Sequence, residues 1–168
     1  MKLESLHKLW IHELKDLHSA ETQLLEALPR MVAAASHDEL KMALAEHLQE
    51  TRTHVSRLEK IFKGLDFSAS GQRCKGMEGL LEEGRGLLED AADEPQVRDA
   101  AIIAACQRVE HYEIAGYGTA GAFAELLGEH EAAALLQATL DEESAADTGL
   151  SRLARKRINF EAMVADRA

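Results

Sequence analysis

Apolar residues recur every three or four positions in four long stretches of the chain. In the first, Leu3, Leu6, Trp10, Leu14, Leu17, Leu24 and Leu28 share one helical stripe, and Glu21 takes the place between Leu17 and Leu24. The spacing predicts a helix over about 3–35, kinked or tightened at Pro29. Ser36-His37-Asp38-Glu39 has the S-x-x-E form of a capping box, which ends this helix and starts a second over about 38–63. So short a connection makes the two an antiparallel hairpin. Residues 67–76 read as a Gly- and Ser-rich loop, and 77–91 as a short helix weakened by Gly79, Gly84 and Gly86. Pro95, placed where its missing N–H costs little, opens a third long helix that Gly128 stops. Its stripe is Ile103, Cys106, Glu110, Glu113 and Tyr117. The fourth, over about 131–157, carries Leu136, Leu140, Glu143, Asp147 and Leu150.

The pattern therefore gives two helical hairpins, about 3–63 and 96–157, joined by a crossover over about 64–95. A crossover of that length lets the second and third long helices run parallel, which is the ferritin-like connection. The predicted fold is all-α, a ferritin-like four-helix bundle with a short extra helix in the crossover, forming one domain over 1–168. Composition agrees: aromatics are 4%, only two prolines occur, and Ala and Leu dominate.

No apolar run approaches the ~20 residues of a membrane span. The first residues, MKLESLHKLWIHELKD, lack a signal-peptide apolar region, so a cytoplasmic location is the expectation. The cysteines, Cys74 and Cys106, agree weakly with a reducing compartment. A net charge of −11 disfavours nucleic acid, whose phosphates need neutralising. Arg152, Arg155, Lys156 and Arg157 are a local exception, read as cations complementing a helix C-terminus.

The unusual feature is acid on inward faces. Glu21, Glu110, Glu113, Glu143 and Asp147 all interrupt apolar stripes, and Glu50 shares a face with His54 in the second helix. The acids lie near mid-length, and the two hairpins repeat the same separations. Glu50 and His54 are four apart, as are Glu143 and Asp147. Burying one ionised carboxylate costs several kcal/mol, and several together repel, so some of their pKa values should rise. A pair of metal ions removes both costs. Oxygen donors with one imidazole suit iron, with manganese as the second option. The candidate ligands are Glu21, Glu50, His54, Glu110, Glu113, Glu143 and Asp147. His47 is the alternative to His54, and Glu142 the rival of Glu143. Tyr117, one turn past Glu113, either hydrogen-bonds a ligand carboxylate or packs at the bundle edge. Cys74 lies between Arg73 and Lys75, cations that would lower a thiol pKa, although a nonfunctional thiol is the simpler reading.

The segments ELKDLHSAETQLLEALPRM, EHLQETRTHVSRLE, RCKGMEGLLEEG, QRVEHYEIAGYGT and LDEESAAD resemble the YciF/YciE family of bacterial ferritin-like stress proteins over essentially the whole chain. The resemblance implies a rubrerythrin-like bundle, a dinuclear metal site and a homodimer. By position, Glu21 would be the first helix's ligand, Glu50 would bridge or chelate with His54 beside it, and Glu110, Glu113, Glu143 and Asp147 would complete the site. The broader di-iron pattern pairs Glu-x-x-His on two helices, and here both pairs are four apart with Asp147 in place of an imidazole.

The function expected is a di-iron carboxylate protein reacting with O2 or hydrogen peroxide in stress protection, as a ferroxidase or peroxidase-like oxidoreductase. The alternative is a non-enzymatic stress or assembly protein with a structural or vestigial metal site. DNA protection, a weaker third reading, is opposed by the charge. No C-x-x-C pair offers a rubredoxin-like electron donor within the chain.

Overall fold

The computed structural model describes residues 2–71 and 73–165, all helix, turn or loop with no strand among them. The helices are α1 (Leu6–Ala34), α2 (Asp38–Gly64), α3 (Lys75–Asp90), α4 (Pro95–Leu127), α5 (His130–Leu153) and α6 (Asn159–Ala165), with a π-helical turn, Ala154–Ile158, between the last two.

Several ends differ from the pattern reading, each for a local reason. α1 starts at Leu6 because the Ser5 hydroxyl accepts the Lys8 N–H at 3.2 Å, and Leu3 is left exposed outside it. Pro29 lies inside α1, which continues to Ala34. The capping box does not form. His37 is the N-cap of α2, its Nδ1 accepting from Glu39 N–H, because Asp99 has claimed the turn. The buried Asp99 carboxylate accepts the Ser36 and His37 N–H groups at 2.7 and 2.8 Å, and Arg98 donates to the Ser36 hydroxyl. α3 begins two residues early because Cys74 caps it, its sulfur accepting the Met77 N–H. Gly128 ends α4 with φ +78°, the left-handed conformation a glycine adopts without strain. α5 stops at Leu153, so Arg155, Lys156 and Arg157 sit on the π turn rather than on a continuous helix.

Asp99 also fixes the topology. It docks the start of α4 on the turn between α1 and α2, while the far end of α4 packs with Trp10 and Phe62. Hence α2 and α4 are parallel, as the long crossover requires. Each long helix packs against two neighbours: α1 on α2 and α4, and α5 on α2 and α4. α3 lies across α4 and α1. The helices approach closely beside Glu113, where a Cβ on Gly116 would stand 2.8 Å from Leu17 Cδ2.

Two apolar clusters fill the bundle. One, toward the α1–α2 turn, includes Leu24, Leu28, Leu44, Ile102 and Val109. The other, toward the α4–α5 turn, includes Trp10, Leu14, Leu58, Phe62 and Leu136. Each fully buried side chain of this size contributes about 1.5–3 kcal/mol. Between the clusters lies a buried polar layer.

Candidate metal centre

The layer is built by four helices whose stripes each bring a polar group inward at mid-bundle. α1 supplies Glu21, α2 supplies His47 and His54, α4 supplies Glu110 and Glu113, and α5 supplies Glu143, all buried. His47 and His54 are seven positions apart and so repeat on one face of α2. Thr51, buried between them, returns its hydroxyl to the His47 carbonyl at 2.9 Å.

The donors form two groups in which one ligand atom from each residue lies within 4.8 Å of the others. Glu21, His54 and Glu143 make one; His47, Glu110, Glu113 and Glu143 make the other. Glu143 belongs to both. His54 Nδ1 is 3.0 Å from Glu143 Oε1 and 3.3 Å from Glu21 Oε1. His47 Nε2 is 3.3 Å from Glu110 Oε1. Although close, these atoms are not satisfied. Glu21 Oε2, Glu110 Oε2, both oxygens of Glu113 and of Glu143, both nitrogens of His47 and Nδ1 of His54 are buried without a hydrogen-bond partner. An orphaned buried polar atom normally costs about 1–3 kcal/mol or more. A layer that gathers nine such atoms, with His47 Nδ1 turned to Glu50 at its edge, is an arrangement that a cation would satisfy.

The surroundings hold this geometry. Tyr117 donates to Glu21 Oε1 at 2.5 Å. His54 Nε2 pairs at 2.9 Å with Glu142 Oε2, and Arg57 clamps Glu142 with both guanidinium nitrogens while reaching the Thr139 hydroxyl at 3.1 Å. When Nε2–H donates to Glu142, the lone pair of Nδ1 points at Glu143 and Glu21. That is the carboxylate–histidine arrangement found behind metal-binding imidazoles.

Charge behaviour follows from burial. Desolvation, then repulsion from the neighbouring acids, holds Glu110 and Glu113 well above the carboxylate range. Glu21 is also raised by burial, against the pull of His54. Glu143 is buried too, yet attraction from His54, whose Nδ1 lies 3.0 Å from Oε1, brings it below its ordinary value. For His54, burial favours the neutral ring, but Glu143 and Glu21 outweigh that and push it up to about 10. Without metal, the layer is thus a proton-rich cluster in which His54 is an imidazolium.

The sequence-predicted residues divide cleanly. Glu21, His54, Glu110, Glu113 and Glu143 converge. Glu50 and Asp147 enter neither group. Glu50 is at the surface side of His47, its carboxylate 36% exposed and 3.5 Å from Nδ1. Asp147 accepts from Gln107 at 3.0 Å and faces the exposed His111 at 3.6 Å. The alternatives resolve into different places: both histidines line the layer, and Glu142 lies behind His54 while Glu143 is inside. The seven-residue repeat of His47 and His54 was the signal for two imidazoles on one face. Cys74 departs from its basic sequence context. Arg73 and Lys75 turn to Glu78, and burial pushes the thiol up. Its sulfur instead meets Asp16 and Tyr112 at 3.0 Å each.

Fold and layer together define a ferritin-like helical-bundle protein with a buried carboxylate–imidazole core. Residues 5–163 match the model of a domain of unknown function, DUF892. Over 163 residues the chain is 41% identical to protein YciF of Escherichia coli strain K12, covering 96% of this chain and 98% of that protein. The chain belongs to this family, that of the stress protein YciF. The crystal structure of E. coli YciF superposes with a TM-score of 0.88 at 41% identity, over 93% of this chain and 98% of that one. YcfI, a proposed structural protein of Rhodopseudomonas palustris, gives 0.84 at 40% identity over 89% and 95%. A Xanthomonas campestris pv. campestris protein at 21% identity shares the fold, with a TM-score of 0.78 over 98% of this chain and all of that one.

Proposed function

We propose that the polar layer is a dinuclear metal centre, with iron as the metal and manganese as the second option, and that it reduces hydrogen peroxide or O2. The observation that carries this is the donor set. Glu21, Glu110, Glu113 and Glu143 with His47 and His54 are four carboxylates and two imidazoles, the inventory of di-iron carboxylate bundles. The distribution differs: α2 gives both imidazoles and α4 gives two acids, where the usual pattern spreads Glu-x-x-His over two helices. Four carboxylates balance two divalent ions. Glu143, shared by the two groups, would help to hold both ions. Glu21 and His54 complete one side, His47, Glu110 and Glu113 the other.

Two ferrous ions held there would supply the two electrons that, with two protons, reduce hydrogen peroxide to two waters. The chain's own groups hold the rest. Glu142 and Arg57 keep His54 Nε2 protonated so that Nδ1 can bind. Tyr117 orients Glu21. The two apolar clusters exclude water, which strengthens charge interactions inside.

The test is protein loaded anaerobically with Fe(II) and mixed with peroxide. Rapid Fe(II) oxidation, absent in Glu113→Gln, is expected. Oxidation at the rate of free Fe(II) would overturn the reading of reactivity. The likeness to YcfI, a proposed structural protein, favours a second reading, in which the chain is a non-enzymatic structural or assembly protein and metal only stabilises it. That reading predicts tight metal binding that raises the melting temperature with no turnover of peroxide or O2.

A further inference from the structure

The six donors are closed off from solvent almost completely, yet a metal ion must reach them. His47 is the most accessible of them. It is 7% exposed, whereas Glu21, His54, Glu110, Glu113 and Glu143 are 0–1%. A groove of about 420 Å³ between α2, α5 and the π turn ends on His47 and Glu110. Its α5 wall includes three small residues, Ala145, Ala146 and Gly149.

Charge is sorted along this groove. Arg152, Lys156 and Arg157 lie toward the α1–α2 turn, where Arg157 is paired with Glu39 at 3.3 Å. Glu46 and Glu50 lie toward the polar layer. A cation is therefore repelled from one end and drawn to the other. The last acid before the interior is Glu50, partly in solvent and 3.5 Å from His47 Nδ1, an imidazole nitrogen with no hydrogen-bond partner.

We propose that the α2–α5 groove is the port through which divalent cations enter, with Glu50 capturing the hydrated ion and passing it to His47. This rests on the metal-centre reading and separates Glu50 from the ligands, since Glu50 speeds loading without being needed in the final site. His47 has one nitrogen turned to the port and the other to Glu110, so a small ring movement transfers the ion inward.

Gly149 permits a clean test. It lines the groove, and a Cβ built on it meets no atom within 4 Å, so a side chain can enter the groove from there. Metal-free full-length protein is mixed with Co(II) chloride, and the growth of the cobalt ligand-field bands is timed. Final cobalt content is measured separately. Gly149→Trp is expected to slow loading by at least about tenfold, as narrowing a route lowers an association rate, with the same final content. Glu50→Gln should slow loading severalfold, again with the content unchanged. Ala145→Phe, on the same wall, repeats the plug should Gly149→Trp lose helical circular dichroism. Gly86→Trp, open on α3 and away from the groove, should load like the unaltered protein. Unchanged loading in the folded plug variants overturns the port. Failure of the unaltered protein to take up cobalt overturns the metal centre itself.

Discussion

The two hairpins share one plan and bring opposite chemistry. α1–α2 contributes one acid, Glu21, and both imidazoles, His47 and His54. α4–α5 contributes three acids, Glu110, Glu113 and Glu143, and no base. Neither half is a binding site alone. The acid-rich half has no internal cation for its carboxylates, and the imidazole half has no oxygen cluster to bind a hard ion. The crossover with α3 sets α2 parallel to α4, which places the imidazoles against the acids. The layer is thus an interface between the halves.

The largest effect should come from neutralising one member of each half in metal-free protein. His54→Gln removes the raised imidazolium of the layer and leaves the lowered, buried Glu143 carboxylate without its partner. Urea denaturation should show a loss of about 3–5 kcal/mol, the cost of breaking a buried pair from one side. Glu113→Gln removes a raised, repelled acid and should leave metal-free stability unchanged or higher by about 1–3 kcal/mol. Both variants should lose metal. If both destabilise the metal-free protein alike, the halves are not electrostatically different.

The pH profile tests the same difference with less force. The folded layer keeps protons on Glu21, Glu110 and Glu113 that the unfolded chain releases above its ordinary carboxylate pKa. His54, raised to about 10, keeps one that the unfolded chain releases above 6.5. In every case the folded state binds more protons, so metal-free stability should fall as pH rises from about 5 to about 9, by up to about 1.4 kcal/mol per pH unit for each such group. Glu143 and Glu142 are lowered instead, so their contribution is lost on the acid side, below the carboxylate range. Metal binding should show the reverse slope, strengthening with pH because the ligands must release those protons. Thermal melts across pH, with and without Fe(II), would show the two slopes.

Smallest in effect is the tie between the halves away from the layer. Asp99→Asn keeps one acceptor for the N–H groups of Ser36 and His37 but loses the charge, and should cost about 1–2 kcal/mol. Metal content should not change, since Asp99 belongs to the docking of α4 on the turn and not to the site.

Periodicity made the four long helices legible, and it put Glu21, Glu110, Glu113 and Glu143 on inward faces. The length of the crossover gave the parallel pair. What pattern could not reach was contact between distant residues. Ser36 and Glu39 look like a capping box until Asp99, more than sixty residues on, takes the backbone donors. Glu50 and Asp147 lie one helical turn from inward residues, and a rotation of a fraction of a turn puts them at the rim. His47 was legible as an alternative to His54, but that the layer holds both depends on the facing acids of α4. Cys74 shows the same limit. Its neighbours in sequence are cations, whereas its neighbours in space are Asp16 and Tyr112.

Both hairpins together should hold two metal ions. The most direct test of this is elemental analysis of untagged full-length protein equilibrated with Fe(II) without oxygen and then desalted. The expected content is two irons per chain, falling below one in Glu143→Gln, where the shared carboxylate is lost from both groups. Iron absent from the unaltered protein, or content unchanged in Glu143→Gln, would contradict it.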